Sequence, residues 1–319
     1  TGVGCQVFAA LTTGDDNTAI GRASLNGNTT GSDNTAVGSS SLNVNTTGAS
    51  NTAVGANALD ANTTAANNSA FGLNALTSNT TGDSNTGLGK SSLSTNSTGV
   101  CNVAVGNNSM LQNTTGTRNT AIGVFSLDAN TTADDNTAGG YESLGANTTG
   151  HSNTAFGKSS LKANTTANDN TAFGFKALCT NTTGTCNTAV GASALLANTT
   201  GINNVAVGHL ALDANTEGSK NIAVGQHSLG TVSTGSNNVA VGHIALEDLT
   251  TAGNNTAIGA FSSRNITTGA NNTSVGYDSL AATTTGTVST AVGVSALTAN
   301  TTGDNNTAVG FEALKVATT

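Results

Sequence analysis

The stretch Asn34-Thr35-Ala36-Val37-Gly38 returns every 17 residues along the chain, with no insertion or deletion from its first copy at Asn17 to its last at Asn306. Each residue therefore has a position from 0 to 16, which is the remainder when its number is divided by 17. An unbroken period of this kind indicates a repeat architecture. We expect a single continuous repeat domain over residues 1–319. Because the sequence opens and closes inside a repeat, we also expect it to be a segment of a longer chain.

The repeat contains fixed and free positions. Position 4 is Gly in every copy, from Gly4 to Gly310, which indicates a positive φ or the close approach of another strand. Position 2 is Ala except at Gly2, Gly87 and Ser274, and position 3 is almost always aliphatic or Phe. Position 8 is mostly Leu, and positions 11 to 14 mostly read Asn-Thr-Thr-Gly. Positions 5, 6, 9, 10, 15 and 16 vary and carry most of the charge.

The repeat predicts short strands. Brief β-branched runs between Gly and Asn are typical of strands and tight turns, and no apolar stripe of helical period runs through the repeat. We predict an all-β fold, a parallel β-solenoid or β-roll of about nineteen 17-residue coils. Equal positions would stack about 4.8 Å apart. One extra residue would break every ladder, which explains the constant spacing.

Substitutions between repeats suggest which side chains point inward. Position 1 is usually Thr but becomes Val103 and Ile222, and it alternates with position 3. Positions 1 and 3 should therefore share one face of the strand, with Ala at position 2 on the other. We expect positions 1 and 3 to fill the coil, so that Asp at Val207 and Val224 would collapse it. Position 11 exchanges Asn for residues such as Leu249, which predicts a buried ladder of Asn amides.

A single coil has little apolar material to bury. Two large aliphatic side chains contribute about 2 kcal/mol each, whereas ordering the backbone costs about 1–2 kcal/mol per residue. Ala at position 2 and Gly at position 4 would form a small-residue face that could admit another backbone. We therefore expect a homo-oligomer in which several chains pack around one axis, with a trimer as the predicted state.

Two copies resemble a known family. Asn204-Val205-Ala206-Val207-Gly208, followed by Ala211-Leu212, and the run Asn238-Val239-Ala240-Val241-Gly242 resemble the head repeats of trimeric autotransporter adhesins. That motif reads Asn-Ser-Val-Ala-Ile-Gly-x-x-Ser. The 17-residue form also resembles repeat arrays of tail fibres and surface proteins of aquatic phages and bacteria. The resemblance implies a trimeric, left-handed parallel β-roll that serves attachment, located extracellularly, on a cell surface or on a virion, with a cell-surface glycan or receptor as partner.

Composition argues against several other functions. A net charge of −8 without a stripe of Lys and Arg argues against nucleic acid as a partner. No apolar run reaches the length of a membrane span. Ser, His and Asp occur without the arrangement of a catalytic triad, and no Gly-rich stretch continues into a phosphate loop. We predict that the protein is not an enzyme and has no catalytic or cofactor-binding residues.

Histidine and cysteine give weak signals. His209, His227 and His243 fall on three consecutive repeats at positions 5, 6 and 5, but no cage of carboxylates accompanies them. We predict no metal site there. Cys179 and Cys186 bracket a loop, and a disulfide between them depends on geometry that the sequence does not fix.

The leading hypothesis is a structural and adhesive extracellular fibre, a stalk or tail-fibre-like rod. The alternative is an ice-binding, glycan-coated or glycan-binding solenoid that uses repeated Thr ladders. Thr at positions 12 and 13 is adjacent and should face opposite ways, unlike a Thr-x-Thr array. Asn-x-Thr or Asn-x-Ser acceptor sequences recur at position 11, where we expect buried Asn. Asn67, Asn254 and Asn271 lie at a variable corner and would be better glycan acceptors.

Overall fold

The computed structural model describes residues 1–316, and the regular secondary structure in that range consists of strands. Nineteen strands occupy positions 1 to 3 of successive repeats, with β1 covering two residues. They are β1 (Gly2–Val3), β2 (Thr18–Ile20), β3 (Thr35–Val37), β4 (Thr52–Val54), β5 (Ser69–Phe71), β6 (Thr86–Leu88), β7 (Val103–Val105), β8 (Thr120–Ile122), β9 (Thr137–Gly139), β10 (Thr154–Phe156), β11 (Thr171–Phe173), β12 (Thr188–Val190), β13 (Val205–Val207), β14 (Ile222–Val224), β15 (Val239–Val241), β16 (Thr256–Ile258), β17 (Thr273–Val275), β18 (Thr290–Val292) and β19 (Thr307–Val309). The predicted all-β parallel solenoid is confirmed.

The backbone forms two compact units, one over Thr1–Lys158 and one that begins at Ser159. The first unit contains β1 to β10 and the second contains β11 to β19. Within each unit, successive strands pair in parallel with equal positions opposite each other, as in Ala36 with Ala53 and Ala189 with Ala206. This register follows from the constant number of residues in each coil. The prediction of a single domain over residues 1–319 stays a prediction.

The interior of each coil is built from small and polar side chains around one Leu. In the coil that contains β3, Ala36, Ser41, Leu42 and Asn45 are fully buried, and so is Asn34 at position 0. The Leu column at position 8 supplies most of the large, fully buried side chains. A coil of this composition packs amides and methyl groups where a conventional domain would pack branched aliphatics.

The strand faces the other way from our expectation. Positions 1 and 3 do share a face, but that face points outward: Val207 and Val224 are 37% and 36% exposed, whereas Ala206 is fully buried. The reason is that the interior of the coil has too little space for a large side chain at position 2. A Cβ on Gly87, at position 2, would lie 3.0 Å from Ser92 Oγ and 3.4 Å from Leu76 Cγ. Only a small residue fits at position 2, so the predicted inward-facing Val side chains and the predicted Ala contact face were both wrong.

Left-handed backbone conformations turn the chain within each coil. Residues at positions 6, 8 and 16 have positive φ in nearly every repeat, for example Ser40 at 56°, Leu42 at 49° and Ser50 at 57°. This conformation costs an L-residue about 1–2 kcal/mol. At position 8 the complete burial of Leu offsets it by about 2 kcal/mol. Because Leu and Ser are unusual in this conformation, the turns could not be predicted from residue type.

Glycine at position 4 meets both of the predicted demands. Gly38 has φ of 141°, and a Cβ added to it would lie 2.5 Å from the carbonyl oxygen of Gly55 in the next coil. The same approach recurs along each unit. Position 4 therefore excludes every other residue type by conformation and by contact.

We predict that Gly106→Ala strongly destabilises the protein. Gly106 has φ of 136°, and its added Cβ would lie 2.6 Å from the carbonyl oxygen of Gly123. The free energy of unfolding should fall by at least about 2 kcal/mol, measured by denaturant unfolding with circular dichroism. The matched control is Gly145→Ala, where the nearest atom would be the carbonyl oxygen of Glu142 at 3.4 Å. Equal stability of the two variants would contradict the assigned role of position 4.

Two Asn ladders run through the interior of each unit. At position 11, Asn45 Nδ2 donates to Asn28 Oδ1 at 2.8 Å, and Asn62 Nδ2 donates to Asn45 Oδ1 at 2.8 Å. This confirms the predicted buried ladder. The second ladder, at position 0, was not predicted. There the Oδ1 of Asn34 accepts the backbone N–H of Asn51 at 3.0 Å.

The two ladders meet at one carbonyl group in most coils. The carbonyl oxygen of Gly48, at position 14, accepts Asn34 Nδ2 and Asn45 Nδ2, both at 2.9 Å. Both lone pairs of that oxygen are therefore used. The arrangement ties the start of each coil to its end and satisfies buried groups that would otherwise cost about 1–3 kcal/mol each.

We predict that Asn102→Leu costs about 1–3 kcal/mol more than Asn113→Leu. Asn102 Oδ1 accepts the backbone N–H of Asn119 at 3.0 Å, and this N–H would lose its partner. Asn113 Oδ1 instead accepts Asn130 Nδ2, which keeps its bond to the carbonyl of Ala133 at 3.1 Å. Thermal unfolding of the two variants compares the positions directly. A similar loss of stability in both variants would show that leaving the backbone N–H of Asn119 without a partner adds no measurable cost.

Candidate assembly surface

The outward side chains of positions 1 and 3 form what we call the strand face. In both units its position-3 column is apolar, with Gly139 as the exception. Many members of this column are substantially exposed: Ile20, Phe71, Leu88, Ile122 and Phe156 in the first unit, and Phe173, Val190, Val207, Val224, Val241, Ile258 and Val292 in the second. Soluble monomers rarely expose contiguous apolar patches larger than a few hundred Å². The strand face is therefore a candidate binding surface in each unit.

Position 5 extends this apolar surface beyond the end of the strand in several coils. Leu73, Val124, Phe175 and Tyr277 all stand there and are 39–54% exposed. Position 5 thus continues the side-chain column of position 3 on the outside of the coil.

The three His residues that the sequence placed on consecutive coils do not form one cluster. The rings of His209 and His227 meet edge to face with centroids 6.0 Å apart. The ring of His243 instead packs on Phe261 at 5.4 Å, and Phe261 packs on Tyr277 at 5.7 Å. Within residues 1–316 no group of three or more His, Cys, Asp or Glu side chains is placed to hold a metal ion. These side chains therefore form two separate groups of ring contacts, one of His209 with His227 and one of His243 with Phe261 and Tyr277.

The Thr residues of positions 12 and 13 point in different directions, as their adjacency suggested. Thr46 Oγ1 donates to the carbonyl oxygen of Thr63 at 3.0 Å, and this bond recurs from coil to coil. Thr47, the next residue, is exposed. Position 13 therefore offers a single outward column, and the position-12 hydroxyl is engaged in the ladder.

The acceptor sequences at position 11 are inaccessible in the folded chain. Asn28 and Asn147 are fully buried within the amide ladder, whereas Asn67, Asn254 and Asn271 are exposed. The exposed corner is therefore the side on which a glycan could be attached after folding. This agrees with the expectation from the sequence about where accessible Asn residues lie.

Cys179 and Cys186, at positions 9 and 16 of one coil, do not form a disulfide with each other. Cys186 is an exposed free thiol. Cys5 and Cys101 are also exposed free thiols. The option of a bridge from Cys179 to Cys186, which the sequence left open, is not realised in this structure.

Three half-buried carboxyl groups stand at position 9, which the sequence gave no reason to single out. Burial raises the pKa of Asp60, Asp128 and Asp213 above the ordinary value, and a hydrogen bond from Asn43 partly opposes this for Asp60. One carboxylate oxygen of Asp60 and one of Asp128 are buried without a hydrogen-bond partner. These groups destabilise the folded state when charged.

We predict that Asp128→Asn stabilises the protein at neutral pH. The pKa of Asp128 is raised in the folded state, so the folded state binds its proton more tightly than the unfolded state does. Its destabilising effect is therefore present at pH values above the folded pKa and disappears as the pH falls below the unfolded value. The melting temperature of the variant should exceed that of the parent at pH 7, and the difference should vanish in acid. Asp33→Asn, at an exposed site, is the control, and its melting temperature at pH 7 should stay close to that of the parent.

No protein-family model matches this chain, and neither does any curated protein. The resemblance to adhesin head repeats accordingly stays a prediction. Across residues 1–316 the structure has no helix of the length and apolarity that crossing a membrane requires.

Proposed function

We propose that this chain is part of a structural and adhesive extracellular fibre, whose copies assemble side by side through the strand face. The observation that carries the proposal is the uncovered apolar column at position 3 in both units. Three copies per assembly is the predicted number. The fibre would stand on a cell surface or a virion and would present a binding tip to a surface glycan or receptor, as the resemblance to adhesin heads suggests.

Burial of the strand face supplies the driving force for this assembly. Covering the remaining exposed area of one position-3 side chain contributes about 1 kcal/mol. Repeated over the strands of a unit, this sum is comparable with the roughly 4–15 kcal/mol that association costs in translational and rotational freedom. The side chains are already ordered by the coil, so little further conformational entropy is lost. The same residues are too exposed to stabilise a single chain to the same extent.

The ladders suit a mechanical role. Within each unit, a coil is bonded to the next through backbone pairs, two Asn columns and the Thr column of position 12, as in Asn51 with Asn34 and Thr46 with Thr63. Pulling two coils apart would break all of these bonds at once. Such a structure resists extension and bending, which is the property that a stalk requires.

Light scattering on the purified chain tests the proposal. We expect a mass of about three times 30.9 kDa for the parent. In Val207→Asp with Val224→Asp, the charged side chains would lie on the outward face, so the chain should remain folded but fall to the single-chain mass. The control, Ala206→Asp, buries a carboxylate inside the coil and should unfold the chain.

A folded parent chain of single-chain mass would overturn the assembly proposal. Growth of ice crystals in its presence would then be the next assay, because the exposed Thr column at position 13 would be the repeated outward feature to explain. If the Asp pair at Val207 and Val224 unfolded the chain as completely as Ala206→Asp, the assignment of the outward face would fail.

A further inference from the structure

The outward surface on either side of the strand carries different charge. We define the leading edge as positions 15 and 16, just before the strand, and the trailing edge as positions 5 and 6, just after it. The carboxylates of the leading edge are Asp15, Asp16, Asp33, Asp83, Asp134, Asp135, Asp169 and Asp304, and the cations of the trailing edge are Arg22, Lys90, Lys158 and Lys176. The two edges flank the apolar strand face on opposite sides.

Three strands have an exposed acid on the leading edge and an exposed base on the trailing edge of the same level. Asp15 and Asp16 precede β2 and Arg22 follows it. Asp83 precedes β6 and Lys90 follows it. In the second unit, Asp169 precedes β11 and Lys176 follows it.

These charges are not paired within the chain. Among the described residues, Arg22, Lys90 and Lys176 form no ion pair with a carboxylate. The strand that separates each acid from its base spans about 10 Å by itself, at about 3.3 Å per residue. A contact between the two edges of one level therefore requires a second chain.

Three of the charges of the opposite sign on these edges, Arg118, Asp278 and Glu312, are paired within the chain. On the leading edge, Arg118 Nε contacts Asp135 Oδ1 at 2.7 Å. On the trailing edge, Asp278 lies 4.0 Å from Arg264, and Glu312 pairs with Lys315. Apart from Lys220 on the leading edge and Glu142 on the trailing edge, the remaining charges are acidic on the leading edge and basic on the trailing edge.

We propose that the partner of the strand face is a second copy of this chain, parallel and in register, whose trailing edge contacts the leading edge of the first. This inference rests on the proposed assembly and specifies its geometry. One edge meets a different edge, so the contact is heterologous and closes into a ring when the rotation allows it. The acid of a level then meets the base of the same level in the neighbour, for example Asp83 with Lys90.

The apolar and charged parts of this surface have separate effects. Exposed ion pairs contribute little to stability, typically about 0.2–1 kcal/mol each. They nevertheless disfavour wrong arrangements and fix the register of an interface. The strand face therefore provides affinity, and the edges select which level of one copy stands beside which level of the next.

Disulfide cross-linking tests the register with a native thiol. Cys101 is exposed on the leading edge before β7, and Asn107 is exposed on the trailing edge after it. In a variant with Asn107→Cys, and with Ser replacing Cys5, Cys179 and Cys186, mild oxidation should give covalent dimers and larger species up to the ring size. A bond within one chain is excluded because β7 holds the two sites farther apart than the roughly 7 Å limit between Cα atoms.

The matched control moves the trailing-edge thiol out of register. Leu73→Cys, with Cys101 retained, places the thiol two coils away, about 10 Å along the axis. The in-register pair should give at least about tenfold more cross-linked product than this control, since disulfide geometry tolerates little separation. Equal cross-linking of both, or dimers that join Cys101 to Cys101, would overturn the in-register arrangement.

Charge exchange provides a second, independent measurement. Asp83→Lys with Asp169→Lys should weaken assembly about fivefold per reversed pair, measured as the concentration for half-dissociation. Adding Lys90→Glu and Lys176→Glu to the same chain should restore it. If the parent assembles but neither exchange has an effect, the edge contact is refuted while the assembly proposal stands. A parent that is monomeric in light scattering would refute both.

Discussion

The amide ladders at positions 0 and 11 are the interaction on which the rest of this structure depends. Each coil has room inside for one Leu and a few methyl groups, so apolar burial alone cannot offset the cost of ordering 17 residues. The Asn side chains supply the remaining stabilisation, because each one forms hydrogen bonds to its neighbour one coil away and to a backbone group. Asn34, for example, holds the N–H of Asn51 and the carbonyl of Gly48. A single coil of a different length would move these amides out of alignment.

This interior has a consequence for the outside. Because the strand must present Ala to a crowded interior, its larger side chains are displaced to the surface. The strand is therefore amphipathic in the opposite sense from most half-buried strands, which turn their large residues inward. Folding of a coil leaves the position-3 column uncovered, as Ile122 at 48% exposed shows. The small interior and the proposed assembly thus have one cause, since a chain that cannot bury its aliphatics internally has them available for a partner.

The sequence predicted the solenoid, the parallel register, the Gly demand and one of the two ladders. The position-11 ladder was predictable because apolar residues replace Asn there, at Val232, Leu249 and Ile266, which indicates that the position is buried. Position 0 gave no such signal, because its Asn is never replaced by an apolar residue and only Ser289 stands in its place. The amide at this position accepts a backbone N–H, which an apolar side chain could not do. The direction of the strand was mispredicted because alternation shows which residues share a face but not which face is inside. The width of the coil decides that, and it depends on left-handed turns at residues such as Leu42.

The free positions then acquire a role that the fixed ones cannot have. A perfectly periodic surface would allow one copy to slide past another by any whole number of coils, because each step restores the same apolar contacts. Register in a sheet is normally specified by its hydrophobic pattern, and here that pattern is the same at almost every level, with Gly139 as the exception. Discrimination between registers must come from residues that differ between coils. The acids and bases that flank β2, β6 and β11 differ in this way, so an aperiodic set of edge charges can give a unique alignment to an otherwise degenerate surface.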